Sequence, residues 1–174
     1  MDSEQAETVI IRAAQAEDAA VIHAMILALA HDISSDIDPV IRVESTADDF
    51  LRLGFGDPAH FHALIAECGE EAVGLCLYFY SFSSWLGRRG VYVQDLYVAP
   101  SERGTGLGRK LMAETARVAA EQGATYLRLS VDRSNESAQA FYNGIGLHPA
   151  RNELIFKVTG KDFQSLINKG GLRL

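Results

Sequence analysis

The residues whose spacing most clearly suggests chemistry form a basic, glycine-rich hexamer, Arg103-Gly104-Thr105-Gly106-Leu107-Gly108. Glycines let a ligand approach the backbone closely, and the first N–H groups of a helix attract anions because they have no partner within the helix. Arg109 and Lys110 follow directly and, with Arg103, add positive charge. The hexamer therefore predicts a pyrophosphate cradle.

Two better-known phosphate loops do not fit this hexamer. A P-loop requires Gly-Lys-Ser/Thr at the start of the helix, but Gly108 is followed by Arg109, Lys110 and Leu111. The dinucleotide fingerprint G-x-G-x-x-G, read from Gly104, would need glycine where Arg109 stands. The hexamer is therefore described by the pattern Arg-x-x-Gly-x-Gly directly after a strand. The alternative to a phosphate site is that it forms a glycine-rich turn before a surface helix.

The segments around the hexamer predict a β-α-β unit. Residues 91–98 are rich in β-branched and aromatic side chains and stop before Pro100, which indicates a strand. Apolar residues at helical spacing follow over residues 108–122, and residues 125–131 alternate as a second strand. The two strands are expected to lie parallel.

The other predicted elements place this unit in a larger sheet. Residues 62–67 and 72–80 flank a turn at Gly69 and indicate an antiparallel hairpin, whereas residues 81–90 are predicted to be a polar loop. The fold class is therefore α/β (α+β), a central mixed β-sheet flanked by helices. Further strands are predicted at residues 8–12 and 154–158, and further helices at residues 18–29, 46–53, 137–143 and 161–167.

The composition indicates one acidic domain. A chain of 174 residues, 48% of them hydrophobic, can bury a sizeable core, so we expect a single domain over residues 1–174 with residues 1–7 flexible. The net charge of −7 argues against a nucleic-acid partner. The acidic segment 31–44 is either a solvated loop or a rim that gathers a polyamine-like cation.

Nothing in the sequence indicates export, a membrane or a metal. Residues 1–7 are polar and do not resemble a signal peptide, and the most apolar run, residues 19–30, is too short to span a bilayer. Cys68 and Cys76 are not placed to pair, and the five histidines have no metal-ligand spacing. We therefore expect a cytoplasmic protein without a metal.

The hexamer, the order of elements and the run Asn135-Glu136-Ser137-Ala138-Gln139-Ala140-Phe141-Tyr142 resemble the GNAT superfamily of N-acetyltransferases over nearly the whole chain. A closer resemblance is to the diamine (spermidine/spermine and thialysine) acetyltransferase subgroup. It rests on Gly54-Phe55-Gly56, on Trp85-Leu86-Gly87 and on Asp95 before Leu96-Tyr97-Val98. The resemblance implies a GNAT-like acyltransferase fold, acetyl-CoA as co-substrate, a small primary amine as acceptor and a homodimer.

The resemblance also implies which residues bind acetyl-CoA. The backbone of Leu96 and Val98 would hold the pantetheine arm as an added strand, and the N–H groups from Gly104 to Arg109 would hold the pyrophosphate. Asn135 would contact the cofactor, although a helix N-cap explains it equally well. The implied cofactor-binding residues are Leu96, Tyr97, Val98, Arg103, Gly104, Thr105, Gly106, Leu107, Gly108, Arg109, Asn135 and Ser137.

The chemistry of acetyl transfer assigns two further roles. An alkylammonium with a pKa of about 10 must lose a proton before it attacks a thioester, and the departing thiolate benefits from a proton donor. By resemblance Tyr142 is that donor, the catalytic residue; the alternative is a core aromatic beside Phe141. Val98 N–H is the predicted oxyanion donor.

Gln94 departs from the subgroup, which has glutamate directly before the aspartate. Gln94 and Asp95 are the predicted substrate-binding residues, but an amide cannot accept the substrate's proton. Neighbouring residues of a strand point to opposite faces unless a bulge intervenes. The proton must therefore leave through a neighbouring carboxylate, through Asp95 or through a water chain to solvent. We expect Gln94 to line the acceptor pocket as a hydrogen-bonding wall while water carries the proton.

Two other functions fit the same residues. In the first, the chemistry is the same but the acceptor is a protein N-terminus, a lysine or an amino acid. In the other, the chain is a non-catalytic acyl-CoA-binding module, and Gln94 marks the loss of catalysis.

Overall fold

The computed structural model describes residues 8–36 and 42–169. The chain forms two compact units, one up to Ala140 and one from Phe141 onward, and the boundary falls within a helix. Residues 1–7, which were predicted to be flexible, and Asp38 of the acidic segment lie outside the described residues.

Most of the regular structure belongs to the first unit. Thr46 begins the helix Ala47–Gly54 with a capping box, in which its hydroxyl accepts from the N–H of Asp49 while the Asp49 carboxylate accepts from the N–H of Thr46. The strands are β1 (Val9–Ala13), β2 (His62–Cys68), β3 (Glu71–Ser83), β4 (Arg88–Val98) and β5 (Ala124–Leu129), and the helices are α1 (Ala19–Asp36), α2 (Ala47–Gly54), α3 (Leu107–Glu121) and α4 (Glu136–Gly144).

The five strands form one mixed sheet in the order β1-β2-β3-β4-β5. The first three pairings are antiparallel, whereas β4 and β5 are parallel and are connected through α3. The predicted mixed sheet and its β-α-β unit are therefore confirmed.

Helices cover both faces of the sheet. On one face, Ile22 and Met25 of α1 pack into a buried cluster with Leu75, Leu77 and Tyr97. On the other face, a methyl group at Gly74 would lie 2.9 Å from the Leu111 side chain, which shows how closely α3 approaches the sheet. The sheet thus separates an α1 face from an α3 face.

Two segments that were predicted to be loops are regular. Strands β3 and β4 continue to a short turn, with Ser83 opposite Arg88, so most of the predicted loop 81–90 belongs to a long hairpin. Helix α1 extends to Asp36, so the first part of the acidic segment is helical. None of the helices among the described residues is long and apolar enough to cross a membrane.

The second unit contains the end of α4 and helix α5 (Gly160–Lys169). The predicted strand at residues 154–158 is wrong, because residues 153–159 have no regular structure. A strand needs a partner for its backbone hydrogen bonds, and no other strand occurs among the described residues of this unit. Leu154, Ile155 and Phe156 are exposed.

We expect Gly90→Ala to destabilise the sheet by about 1–3 kcal/mol. A methyl group on Gly90 would lie 2.2 Å from ring carbons of Tyr126 on β5, so the ring would have to move. In a Tyr126→Ala background the same substitution should cost little. Urea unfolding of the four proteins in this double-mutant cycle measures the difference. Equal costs in both backgrounds would show that the ring is not the obstacle.

Candidate functional site

The glycine-rich loop leads into α3 with an open backbone. Gly104 and Gly106 have φ angles of 79° and 88°, in the left-handed region that favours glycine. A methyl group added to either would meet no atom within 4 Å, so the space beside both residues is free for a ligand. Gly106 is the N-cap of α3, and the following N–H groups have no partner within the helix. This geometry suits an anion.

The Arg103 side chain carries charge and also makes hydrogen bonds to other parts of the protein. The Arg103 guanidinium donates to the Val98 carbonyl oxygen at 3.0 Å and to Asp32 Oδ2 of α1 at 2.5 Å. Arg103 therefore joins the loop to β4 and α1. Nothing in the sequence indicated Asp32 as its partner, because the two residues are 71 positions apart. The Leu107 side chain is buried, so only its backbone faces a ligand.

The two parallel strands, β4 and β5, stop pairing partway along β4. The ladder between β4 and β5 ends at the pair Val93 and Leu129, and β5 itself ends there. Strand β4 continues to Val98, five residues further. Among the described residues, this last part of β4 has no strand beside it on the β5 side.

The register of β3 and β4 shows which backbone groups face the open side. The N–H of Ala99 donates to the Val73 carbonyl oxygen of β3 at 2.8 Å. The hydrogen-bonding direction alternates along an antiparallel strand, so Tyr97 also bonds toward β3, whereas Leu96 and Val98 face the open side. The register thus favours Leu96 and Val98 over Tyr97 as partners for an extended ligand.

A β-bulge at Gln94 lies where the two strands separate. Val93 is opposite Tyr78 of β3, but Asp95 is opposite Leu77, so Gln94 is the additional residue. The expectation that alternation would turn Gln94 and Asp95 to opposite faces therefore does not apply. Asp95 lies on the α1 face, which it shares with Leu77.

The environment of Asp95 makes its carboxyl group unusual. Asp95 is partly buried, whereas Gln94 is exposed. Burial, with no contribution from a neighbouring charge, raises the pKa of Asp95 to about 6. Desolvation disfavours the charged form of a carboxyl group, and a carboxyl group with such a pKa can accept a proton at neutral pH and release it again.

Asn135 occupies the N-cap of α4. Its side-chain oxygen accepts from the N–H of Ala138 at 2.9 Å, and Ser137 is exposed in the first turn. Tyr142 belongs to the second unit, where its ring contacts that of Phe141 edge-on with centroids 5.1 Å apart. The cofactor role of Asn135 and Ser137 and the catalytic role of Tyr142 stay predictions. No cluster of metal ligands occurs within the described residues.

Comparison with known proteins identifies the family. The profile of the acetyltransferase (GNAT) family matches residues 27–147. The thialysine N-epsilon-acetyltransferase of Sus scrofa is 33% identical over 173 residues, which cover 93% of this chain and 99% of that protein. The corresponding enzyme of Mus musculus is 32% identical over 171 residues, which cover 91% and 97% of the two chains.

A solved structure shows the same fold. An integron cassette protein from the mobile metagenome of V. cholerae superimposes with a TM-score of 0.75 at 20% identity, over 91% of this chain and 97% of that one. The family match includes β4, the glycine-rich loop and α3. The chain therefore belongs to the acetyltransferase (GNAT) family and is an N-acetyltransferase, which transfers an acetyl group from acetyl-CoA to an amine.

Proposed function

We propose that this enzyme acetylates a primary amine at the end of a short alkyl chain, as in diamines and lysine-like amino acids. The observation that carries the proposal is the unpaired stretch of β4, with the glycine-rich loop at one end and Asp95 at the other. The similarity to thialysine N-epsilon-acetyltransferases supports this class of acceptor.

Acetyl-CoA fits this arrangement in one direction. We assign the pyrophosphate to the N–H groups from Gly104 to Arg109, which belong to the loop and to the first turn of α3. The pantetheine arm then follows the open edge of β4 as an added strand. From Val98 back to Asp95 the strand spans about 10 Å, so the thioester comes to the bulge at Gln94.

Two backbone N–H groups on this edge have different tasks. The Val98 N–H lies at the loop end, beside the carbonyl group that Arg103 occupies. The Leu96 N–H lies next to the bulge and hence near the acetyl carbonyl group. We therefore assign the oxyanion contact to Leu96 instead of Val98, and the pantetheine contact to Val98.

Side chains complete the reaction. Gln94 and Asp95 bind the amine, and the acidic character of the chain, with a net charge of −7, favours a cationic acceptor. Asn135 and Ser137 contact the cofactor near the start of α4. The Tyr142 phenol donates a proton to the departing thiolate. A homodimer and a cytoplasmic location complete the proposal.

Release of free CoA thiol from acetyl-CoA across a panel of amines tests the acceptor class. We expect diamines and lysine-like amino acids to react with a higher kcat/KM than peptides with a free N-terminus. Preference for peptides would assign the chain to protein acetylation. Binding of acetyl-CoA without thiol release for any amine would indicate a non-catalytic module.

We expect Gly106→Val to weaken acetyl-CoA binding by more than about tenfold, because a side chain there enters the space left for the pyrophosphate. Gly123→Val is the matched control. Gly123 also has a left-handed φ, 82°, with open space around it, but it follows the other end of α3. Both variants carry strain of about 1–2 kcal/mol. If calorimetry finds equal acetyl-CoA affinity for the two variants, the loop is not the pyrophosphate-binding site.

We expect Tyr142→Phe to lower kcat by about ten- to several-hundred-fold with unchanged acetyl-CoA affinity, because only a proton donor is lost. Tyr126→Phe is the control, since it removes the phenol that contacts Ser81 on the far part of the sheet. Steady-state kinetics and calorimetry on both variants make the comparison. Full activity of Tyr142→Phe would show that Tyr142 is a packing residue and not the proton donor.

A further inference from the structure

The proposed acceptor leaves one proton unaccounted for. At neutral pH an alkylamine is an ammonium ion, and its nitrogen has no lone pair until a proton leaves. Gln94 cannot take this proton, because an amide nitrogen is not a base and its oxygen is a very weak one. Another group beside the bulge, or solvent, must accept it.

The backbone brings one carboxyl group to this place. The bulge at Gln94 turns Asp95 onto the α1 face, at the end of the open edge where the thioester lies in the proposed function. The carboxyl group is partly buried, and it has no hydrogen-bond or ion-pair partner within the part of the chain that the structure describes. A carboxylate that is structurally required normally has such a partner.

We propose that Asp95, and not solvent, accepts the proton of the acceptor ammonium. The inference rests on the proposed function. The N–H bond of the ammonium breaks as an O–H bond forms on Asp95, and the freed lone pair attacks the acetyl carbon. As the C–N bond forms and the C–S bond breaks, the Tyr142 phenol gives its proton to the departing thiolate, and the second proton of the nitrogen passes through water to the resulting phenolate. Asp95 then returns its proton to water.

The surrounding charges are consistent with this role. No cation among the described residues holds Asp95 in the ionised form, and burial raises its pKa to about 6, close to neutrality, where a base is most effective. Asp95 raises the pKa of the nearby Cys76 thiol, but burial raises it more, to about 12, so Cys76 stays protonated and does not compete. The other ionisable residues on the elements around Asp95 are His23, His31, Asp32 and Asp36 of α1, Glu71, Tyr78 and Tyr80 of β3, Arg88, Arg89, Tyr92 and Tyr97 of β4, Tyr126 and Arg128 of β5, and Arg109, Lys110, Glu114, Arg117 and Glu121 of α3.

The pH dependence of kcat/KM separates the two routes. If Asp95 is the base, kcat/KM falls below about pH 6 as the carboxylate is protonated, and it is flat from there toward the pKa of the amine. If solvent takes the proton, only the free amine reacts, and kcat/KM rises tenfold per pH unit up to the amine pKa, about 10. The earlier expectation of a water route corresponds to the second profile.

The test compares the wild type with Asp95→Asn, which keeps the shape of the side chain. With a diamine, we expect Asp95→Asn to lose about a hundred- to ten-thousand-fold in kcat/KM at neutral pH and to lose the plateau. A fluorinated analogue of the same diamine, whose amine is already neutral, should lose far less kcat/KM in Asp95→Asn than the diamine does, because Asp95 then contributes to binding but has no ammonium proton to accept. Equal losses with both amines would overturn the proposal, because a structural defect affects both.

A second measurement does not depend on catalysis, so it tests the proposal even if Asp95→Asn is impaired in folding. The carboxyl ¹³C signal that disappears in Asp95→Asn should titrate near pH 6 in the wild type, and titration at the ordinary value of about 3.9 would overturn the proposal. Acetyl-CoA affinity should be the same in both proteins. A wild type that acetylates diamines with no plateau refutes Asp95 alone, whereas one that releases no thiol with any amine refutes the proposed function as well.

Discussion

The site depends on one constraint, that backbone N–H and C=O groups need hydrogen-bond partners. In a sheet the neighbouring strand supplies them, but β5 stops at Leu129 while β4 continues to Val98. Within the described residues, the structure thus keeps an open strand edge along the last part of β4, and proteins normally cover or protect such edges. An extended molecule with amide groups can take the place of the missing strand. The glycine-rich loop begins a few residues after this edge, so the two features form one continuous path.

The bulge at Gln94 divides β4 into two parts with different tasks. Before it, Val91 and Val93 pair on both sides and hold the sheet together. After it, the β5 side of the strand is open. The alternation of side chains between the two faces of the sheet is also shifted by one residue. Asp95 consequently lies on the α1 face with Leu77, partly withdrawn from water. A single additional residue therefore lies at the point where the sheet opens and determines which side chain is found there.

The local parts of this site were predictable from sequence, and the long-range parts were not. The pattern of residues 91–131 predicted the strand, loop, helix and strand, because alternation, helical spacing and glycines act over a few residues. The bulge left no trace, since it depends on the register against β3. The ion pair of Arg103 with Asp32 joins segments 71 residues apart. The predicted strand at residues 154–158 failed for the same reason, because its apolar composition cannot specify a partner.

The division between backbone and side chains at this site has a consequence for evolution. Acetyl-CoA would be held mainly by backbone groups of β4 and of the loop, whose shape depends on Gly104 and Gly106. The amine would be held by side chains beside the bulge. Point mutations that exchange those side chains can therefore give the enzyme a new acceptor while its binding of the acyl donor stays the same. The fold can diversify around the acceptor because, apart from the glycines of the loop, the contacts to the acyl donor depend little on side chains.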